Sequence, residues 1–188
     1  MSSLAPIVER LSRTPTLESR AADTQGLRAA VAAVMREGAA GSELLLIKRA
    51  EREGDPWSGH MAFPGGRRQK NDASLLETAR RETLEEVGLD LEARARAVAR
   101  LPDLLPYSRL PELITVTPFV FALESPAELA LNAEVAEAVW APLDAILRGE
   151  GATRFRWREL ELPALDVRGH VVWGMTYRML EMLREALA

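Results

Sequence analysis

A chain of 188 residues that is 47% apolar and 28% charged has the composition of one folded domain with its own core, which excludes an intrinsically disordered segment. Its formal net charge of -4, with signs interspersed, gives no basic footprint for sequence-independent nucleic-acid binding, and the lack of cysteine excludes disulfides and thiolate metal sites. No stretch is apolar enough to span a bilayer, and no cationic segment followed by an apolar run opens the chain, so the expectation is a cytoplasmic protein.

In chain order, residues 4–17 carry Ile7, Val8 and Leu11 at helical spacing before Pro15 interrupts, predicting a short helix that packs on the main domain or on a partner. Residues 19–26 are polar and read as a linker. Residues 28–36 and 43–49 are strand candidates, with Gly38 and Gly41 favouring a hairpin between them; the alanines of the first leave a helix open as the alternative. A charged loop containing Trp57 and His60 leads to Pro64-Gly65-Gly66, where the absence of a Cβ lets the backbone approach a ligand closely.

The next segment is the most informative. Asp72 is a candidate N-cap, Gly88 sits where a helix ends in a left-handed residue, and Leu76, Ala79, Thr83 and Val87 recur at core-facing spacing. Glu82, Glu85 and Glu86 are three and four residues apart, so their carboxylates share a neighbouring face. Three like charges there repel one another unless a cation sits among them, and hard oxygen ligands suit Mg²⁺ or Mn²⁺.

Residues 93–101 and 113–123 read as strands joined by a proline-rich loop that contains Tyr107 and Arg109, candidate contacts for a base or a phosphate. Glu134 lies at the loop side of a strand that leads through Trp140 to Pro142-Leu143 and a short helix. Residues 154–162 alternate as one strand, and residues 170–187 begin apolar and become a helix with Met175, Met179 and Leu183 on one stripe. There is no internal repeat.

The order Gly65-Gly66, Asp72, Arg81-Glu82, Glu85-Glu86, Gly88-Leu89 resembles the Nudix box of the Nudix hydrolases. It departs from the general pattern at its front, with Asp72 in place of glutamate and eight residues before Arg81, a variation similar to that of the coenzyme A-cleaving branch that leaves Asp72 as either a helix cap or an outer-shell metal carboxylate. The runs 45–49, 59–66, 115–119 and 173–176 also resemble that branch. The stretch 55–58, Asp-Pro-Trp-Ser, lacks the arginine expected shortly before Gly59.

The resemblance implies a Nudix α/β/α sandwich with a mixed sheet over residues 27–188, preceded by an N-terminal helix and linker over 1–26. It further implies a Nudix hydrolase, a pyrophosphatase cleaving coenzyme A or acyl-coenzyme A to phosphopantetheine and adenosine 3′,5′-bisphosphate. A hydrolase of ADP-ribose, a dinucleotide or a nucleoside triphosphate is the alternative. A non-catalytic nucleotide sensor is disfavoured by the intact glutamates. Glu82 and Glu86 are the implied principal ligands of Mg²⁺ or Mn²⁺, with Glu85 sharing one ion and the Gly66 carbonyl completing the shell. Glu85, Arg81 and Glu134 are the candidate catalytic residues: Arg81 as the orienting partner of a box carboxylate, and a box glutamate or Glu134 as the base. Candidate substrate contacts are Arg49, Trp57, Gly65, Gly66 and Arg67. Trp57 stacks on adenine or anchors its loop, and His60 is structural. The partner is a small nucleotide-derived substrate rather than nucleic acid or membrane, and a homodimer is allowed by analogy.

Overall fold

The computed structural model describes residues 3–13, 17, 20–54, 57–106 and 113–188. Tyr107, Arg109, Pro15, Asp55 and Pro56 lie outside the described residues.

Strand β1 (Leu27–Gly38) and strand β2 (Gly41–Arg49) form the expected hairpin, closing at Gly38 opposite Gly41. The alanines do not make β1 a helix. Ala30, Ala32 and Val34 point to one side of the sheet, Ala33 and Met35 to the other, and all are essentially inaccessible. Burial on both faces at period two overrides the weak intrinsic strand preference of alanine. Around β1 grows a seven-stranded sheet in the order β3-β2-β1-β6-β5, where β3 is Met61–Ala62, β5 Ala95–Arg100 and β6 Ile114–Leu123. Strand β4 (Gly65–Arg67) also pairs with β1, and β7 (Val135–Pro142) with β2. The β1–β6 pair is parallel and the other pairs are antiparallel, so the sheet is mixed.

Helix α2 (Leu75–Val87) covers one face of the sheet. Helix α1 (Leu4–Leu11), α4 (Leu143–Leu147) and α5 (Gly174–Ala186) cover the other, with the short α3 (Leu91–Arg94) between α2 and β5. This is the expected α/β/α sandwich. The apolar stripe of α1, Leu4, Ile7, Val8 and Leu11, is spent against the chain's own sheet, and the Leu4 N–H donates to Glu37 Oε2 at 2.8 Å.

Two expectations are corrected. The segment read as a linker is fastened to the sheet: Ala21–Thr24 is a 3₁₀ turn whose Asp23 is buried against Arg100 and Arg28. Residues 154–162 are not one strand but the turn of a hairpin, β8 (Ala152–Trp157) and β9 (Leu160–Val167). β10 (His170–Trp173) completes a separate three-stranded sheet leading directly into α5. Among the described residues no helix is long and apolar enough to cross a membrane.

Candidate active site

The site is built where β4 passes under α2. Gly65 lies so close to β1 that a Cβ would strike the Ala30 carbonyl oxygen and, at 2.5 Å, Val31 Cα. A Cβ on Gly66 would sit 2.5 Å from the carboxyl carbon of Glu82. The two glycines are therefore required for the sheet to close and for a helix carboxylate to rest on the strand backbone.

Helix α2 starts two residues later than the sequence suggested. Ser74, not Asp72, is the N-cap, its hydroxyl accepting the Glu77 N–H at 3.2 Å; Gly88, at φ 67°, ends the helix as expected. The core stripe contains Leu75, Thr78, Ala79, Thr83 and Val87, while Leu76 is only partly buried. That rotation turns Glu86 inward. It is 6% exposed, and its Oε2 accepts the Gly65 N–H at 2.8 Å.

Asp72 has a different task. It is buried and grips Arg81 with both oxygens, Nε to Oδ1 at 2.9 Å and Nη2 to Oδ2 at 3.0 Å, while also accepting the Gln69 N–H and the Thr78 hydroxyl. Burial alone would push its carboxyl up, but these donors, Arg81 first, outweigh it and hold the group at about 2. Arg81 in turn donates through Nη1 to Glu82 at 2.8 Å and Glu85 at 3.1 Å, and through Nη2 to the Arg67 carbonyl at 3.1 Å. One guanidinium thus ties the front of the box to two of its glutamates and to the glycine strand, a task that suits its rigid fork.

The glutamates are not equivalent. Glu85 is exposed and, among the described residues, is held by Arg81 alone, whereas Glu82 is half-buried. Burial raises the Glu82 carboxyl above its ordinary range. Burial, reinforced by the negative charges of Glu82 and Glu134, pushes Glu86 up to about 7, against the opposing pull of the Gly65 N–H and Arg49. Among the described residues no three acidic or imidazole side chains form a ready-made ion cage. The donor set nevertheless fits a hard divalent ion. Two carboxylates that resist ionising beside each other converge on Gly65-Gly66, and Gly66 leaves no side chain between Glu82 and the strand backbone.

Beside Glu86 opens a cleft of about 170 Å³ lined by Arg49, Phe63, Gly65, Met175 and Thr176. Arg49 thus joins Glu86 and Gly65 in one place, and the Thr176 hydroxyl, donating to the Met61 carbonyl at 3.0 Å, fastens α5 to β3 at the cleft wall. Glu134 is not part of the cleft lining, but its charge acts on Glu86. The loop that carries it is docked on the C-terminal end of α2 by the Asn132 N–H to Glu86 carbonyl bond at 3.0 Å, and its carboxylate pairs with Arg52 at 3.0 Å. The exposed Arg67 contributes its carbonyl to Arg81. Trp57 is stacked on Trp157, which the sequence pattern placed on the apolar side of a single strand with no tie to Trp57. The sequence also missed Thr176 as a cleft residue, because its partner Met61 is remote in the chain.

A mixed sheet between helices, with glycines under an acidic helix, is the Nudix arrangement, and the NUDIX domain model matches residues 26–160. The chain belongs to the Nudix family and is a Nudix hydrolase. It is 32% identical over 149 residues to the uncharacterized Nudix hydrolase NudL of Pectobacterium atrosepticum, covering 74% of this chain and 72% of that one. It is 31% identical over 154 residues to the mitochondrial coenzyme A diphosphatase NUDT8 of Homo sapiens, covering 77% and 63%. An uncharacterized protein of Schizosaccharomyces pombe is 44% identical over 117 residues, a match spanning 60% of this chain but only 36% of that relative's length. In fold the chain is similar to the NUDIX domain of Shewanella oneidensis NrtR complexed with ADP ribose. The TM-score is 0.60 at 18% identity, over 92% of this chain and 95% of the other.

Proposed function

We propose that this chain hydrolyses the diphosphate linkage of coenzyme A or its acyl derivatives, releasing phosphopantetheine and adenosine 3′,5′-bisphosphate. The observation that carries the hydrolytic part is the pair of ionisation-resistant carboxylates, half-buried Glu82 and buried Glu86, set against the Gly65-Gly66 strand. The substrate part is supported by the runs 59–66 and 173–176 and by the similarity to a coenzyme A diphosphatase.

In this reading Glu82, Glu86 and the Gly66 carbonyl hold Mg²⁺ or Mn²⁺, with Glu85 sharing an ion. Such ions neutralise the diphosphate, orient it and lower the pKa of water near it. The residues of the chain do the rest. Arg81, anchored by Asp72, fixes the rotamers of Glu82 and Glu85. Arg49 offers positive charge to the diphosphate at the cleft beside Glu86. A carboxylate, Glu85 or Glu134, takes the proton of the attacking water as its oxygen bonds to phosphorus and the bridging P–O bond breaks, leaving one new terminal phosphate on phosphopantetheine and one on the 5′-oxygen of adenosine 3′,5′-bisphosphate. Gly65 and Gly66 keep that approach free of side chains. Arg67 and Trp57 complete the set of proposed substrate contacts.

The absence of an arginine in 55–58 favours a second reading, another nucleoside diphosphate compound such as ADP-ribose. Chromatographic product analysis with Mg²⁺ or Mn²⁺ decides between them. Incubation with coenzyme A, acetyl-coenzyme A, ADP-ribose, NADH and nucleoside triphosphates is expected to give adenosine 3′,5′-bisphosphate selectively. AMP from ADP-ribose or NADH, with coenzyme A untouched, would replace the first reading by the second.

A further inference from the structure

Three of the four tryptophans of the chain meet in one stack, although they come from a loop, a hairpin and the strand before α5. The stack is rooted at Trp173, which is 8% exposed and lies face to face with Phe155 at 4.4 Å between ring centroids. Trp157 follows at 4.9 Å from Trp173, and Trp57 lies nearly parallel to Trp157, 12° between planes at 5.9 Å. His60 plugs the side, its ring edge-on to Trp173 at 4.9 Å and to Trp157 at 5.6 Å.

The inner rings serve as the small core of the three-stranded sheet. The outermost ring does not need to: Trp57 remains 43% exposed. An exposed indole on a loop ordinarily loses rotamer freedom when it meets a ligand, whereas Trp57 is already oriented by the rings behind it. It is also tied to the site already described. The Gly59 N–H donates to the Arg49 carbonyl and the Arg49 N–H to the His60 carbonyl, so this loop is bonded to the residue that lines the cleft with Glu86. From the other side Trp173 leads directly into Met175 and Thr176 of the same cleft. The Arg158 guanidinium, 5.9 Å over the Trp157 ring, adds positive charge to the platform.

We propose that the β8–β9 hairpin, through Trp157, makes Trp57 a rigid platform on which the purine base of an anionic nucleotide stacks while its phosphates reach toward Arg49. This rests on the hydrolase reading for the identity of the nucleotide but not for the platform itself. Trp157 is then a positioning residue, and the hairpin is a specificity element outside the box. Base–aromatic stacking is sequence-tolerant and rests on the ring face, so phenylalanine should substitute in part where alanine does not.

The test combines calorimetry and kinetics on the full chain. Titration with adenosine 3′,5′-bisphosphate is expected to show binding, and ribose 5-phosphate, which has no base, little. Trp57→Ala is expected to weaken nucleotide binding roughly tenfold and to raise KM for coenzyme A more than it lowers kcat. Trp157→Ala should follow it, with Trp57→Phe and Trp157→Phe recovering most of the affinity, and circular dichroism confirming the fold of each. Hydrolysis with unchanged KM in Trp57→Ala and both Trp157 variants overturns the platform and leaves the hydrolase reading standing. Nucleotide binding that depends on Trp57 and Trp157 in a chain that hydrolyses nothing supports the platform and removes the hydrolase reading. Equal affinity for ribose 5-phosphate overturns the platform outright.

Discussion

Two groups of buried charge sit in this molecule and are settled in opposite ways. Near the start of β1, Asp23 accepts from Arg100 at 2.6 and 2.7 Å and from Arg28 at 3.2 Å. Asp103 accepts from Arg28, Arg100 and the Thr117 hydroxyl. Charges balance, and despite their burial both carboxyls are held below their ordinary range by these donors. At the other place Glu86 has one N–H and the more distant charge of Arg49, Glu82 has an arginine it shares with Glu85, and both carboxyls are raised. The balanced group is architecture: it pins the N-terminal segment to β5 and β6. The unbalanced one is a stored electrostatic demand, and a buried demand of that kind marks a site that acquires its counter-charge from outside.

The largest effect that could break this comparison is Glu86→Gln. The amide oxygen can still accept the Gly65 N–H, but the negative charge is gone. Turnover should fall by roughly three orders of magnitude, while the metal-free chain at pH 8 becomes more stable, not less. The sign follows from linkage. Glu86 holds its proton to about pH 7 in the folded chain, against an ordinary value of 4.5. Between those values the folded state carries a proton the unfolded state has lost, so stability falls as pH rises through that window and stays low above it. The cost is roughly 3 kcal/mol. Thermal unfolding in chelator from pH 5 to 8 should show the decline in the wild type and little of it in Glu86→Gln. A decline of the same size in both would remove Glu86 as its source.

At the balanced group the prediction inverts. Arg100→Met leaves Asp23 buried without its main partner and should cost roughly 3–5 kcal/mol in urea unfolding. Folded molecules should keep their kcat. If the substitution instead lowered kcat with stability intact, the division between architecture and site would be wrong.

How much of this was legible in the sequence depends on how local each signal is. The helix of the box and its glycine end were legible because their spacing is self-contained within one segment. The inward rotation that separates Glu86 from Glu85 was not legible, because it depends on the start of α2 at Ser74 and on which face β1 and β4 offer. Asp72 was misread as a cap for the same reason: its partner Arg81 lies nine residues on, across a turn. The β8–β9 turn carries no glycine, proline or asparagine; Arg158 takes a left-handed backbone there, φ 56°, so the hairpin looked like a single strand. With that turn unseen, Trp157 could not be placed beside Trp57. The Asp23 cluster was invisible because its central pair, Asp23 and Arg100, lies 77 residues apart in the chain.

Between the two groups stands Arg81, balanced on its Asp72 side and committed to the glutamates on the other. Asp72→Asn keeps the shape but removes the charge that anchors the fork. The turnover loss should be intermediate, roughly tenfold to a hundredfold, because misplacement of a positioned group costs about that much. The Asp72 contribution to stability is present above its ordinary pKa of 3.8 and is lost as pH falls through about 2, so the variant should lack the acid-side decline of the wild type.

The smallest effect is expected at Glu134. Its carboxylate is about half exposed and paired with Arg52 across two surface loops, so the ion pair itself contributes little, about 0–1 kcal/mol. Glu134→Gln should therefore leave the unfolding midpoint unchanged. Its kinetic effect separates the two candidate bases. If Glu134 takes the proton, the pH–rate profile loses its acidic limb and kcat falls by at least about a hundredfold. If Glu85 does so, kcat falls only a few-fold and the limb remains. Arg52→Ala, which frees Glu134 without removing it, sharpens the reading. A base held back by that pair becomes more available, and kcat should hold or rise, whereas a carboxylate positioned by the pair loses its place, and kcat should fall together with that of Glu134→Gln.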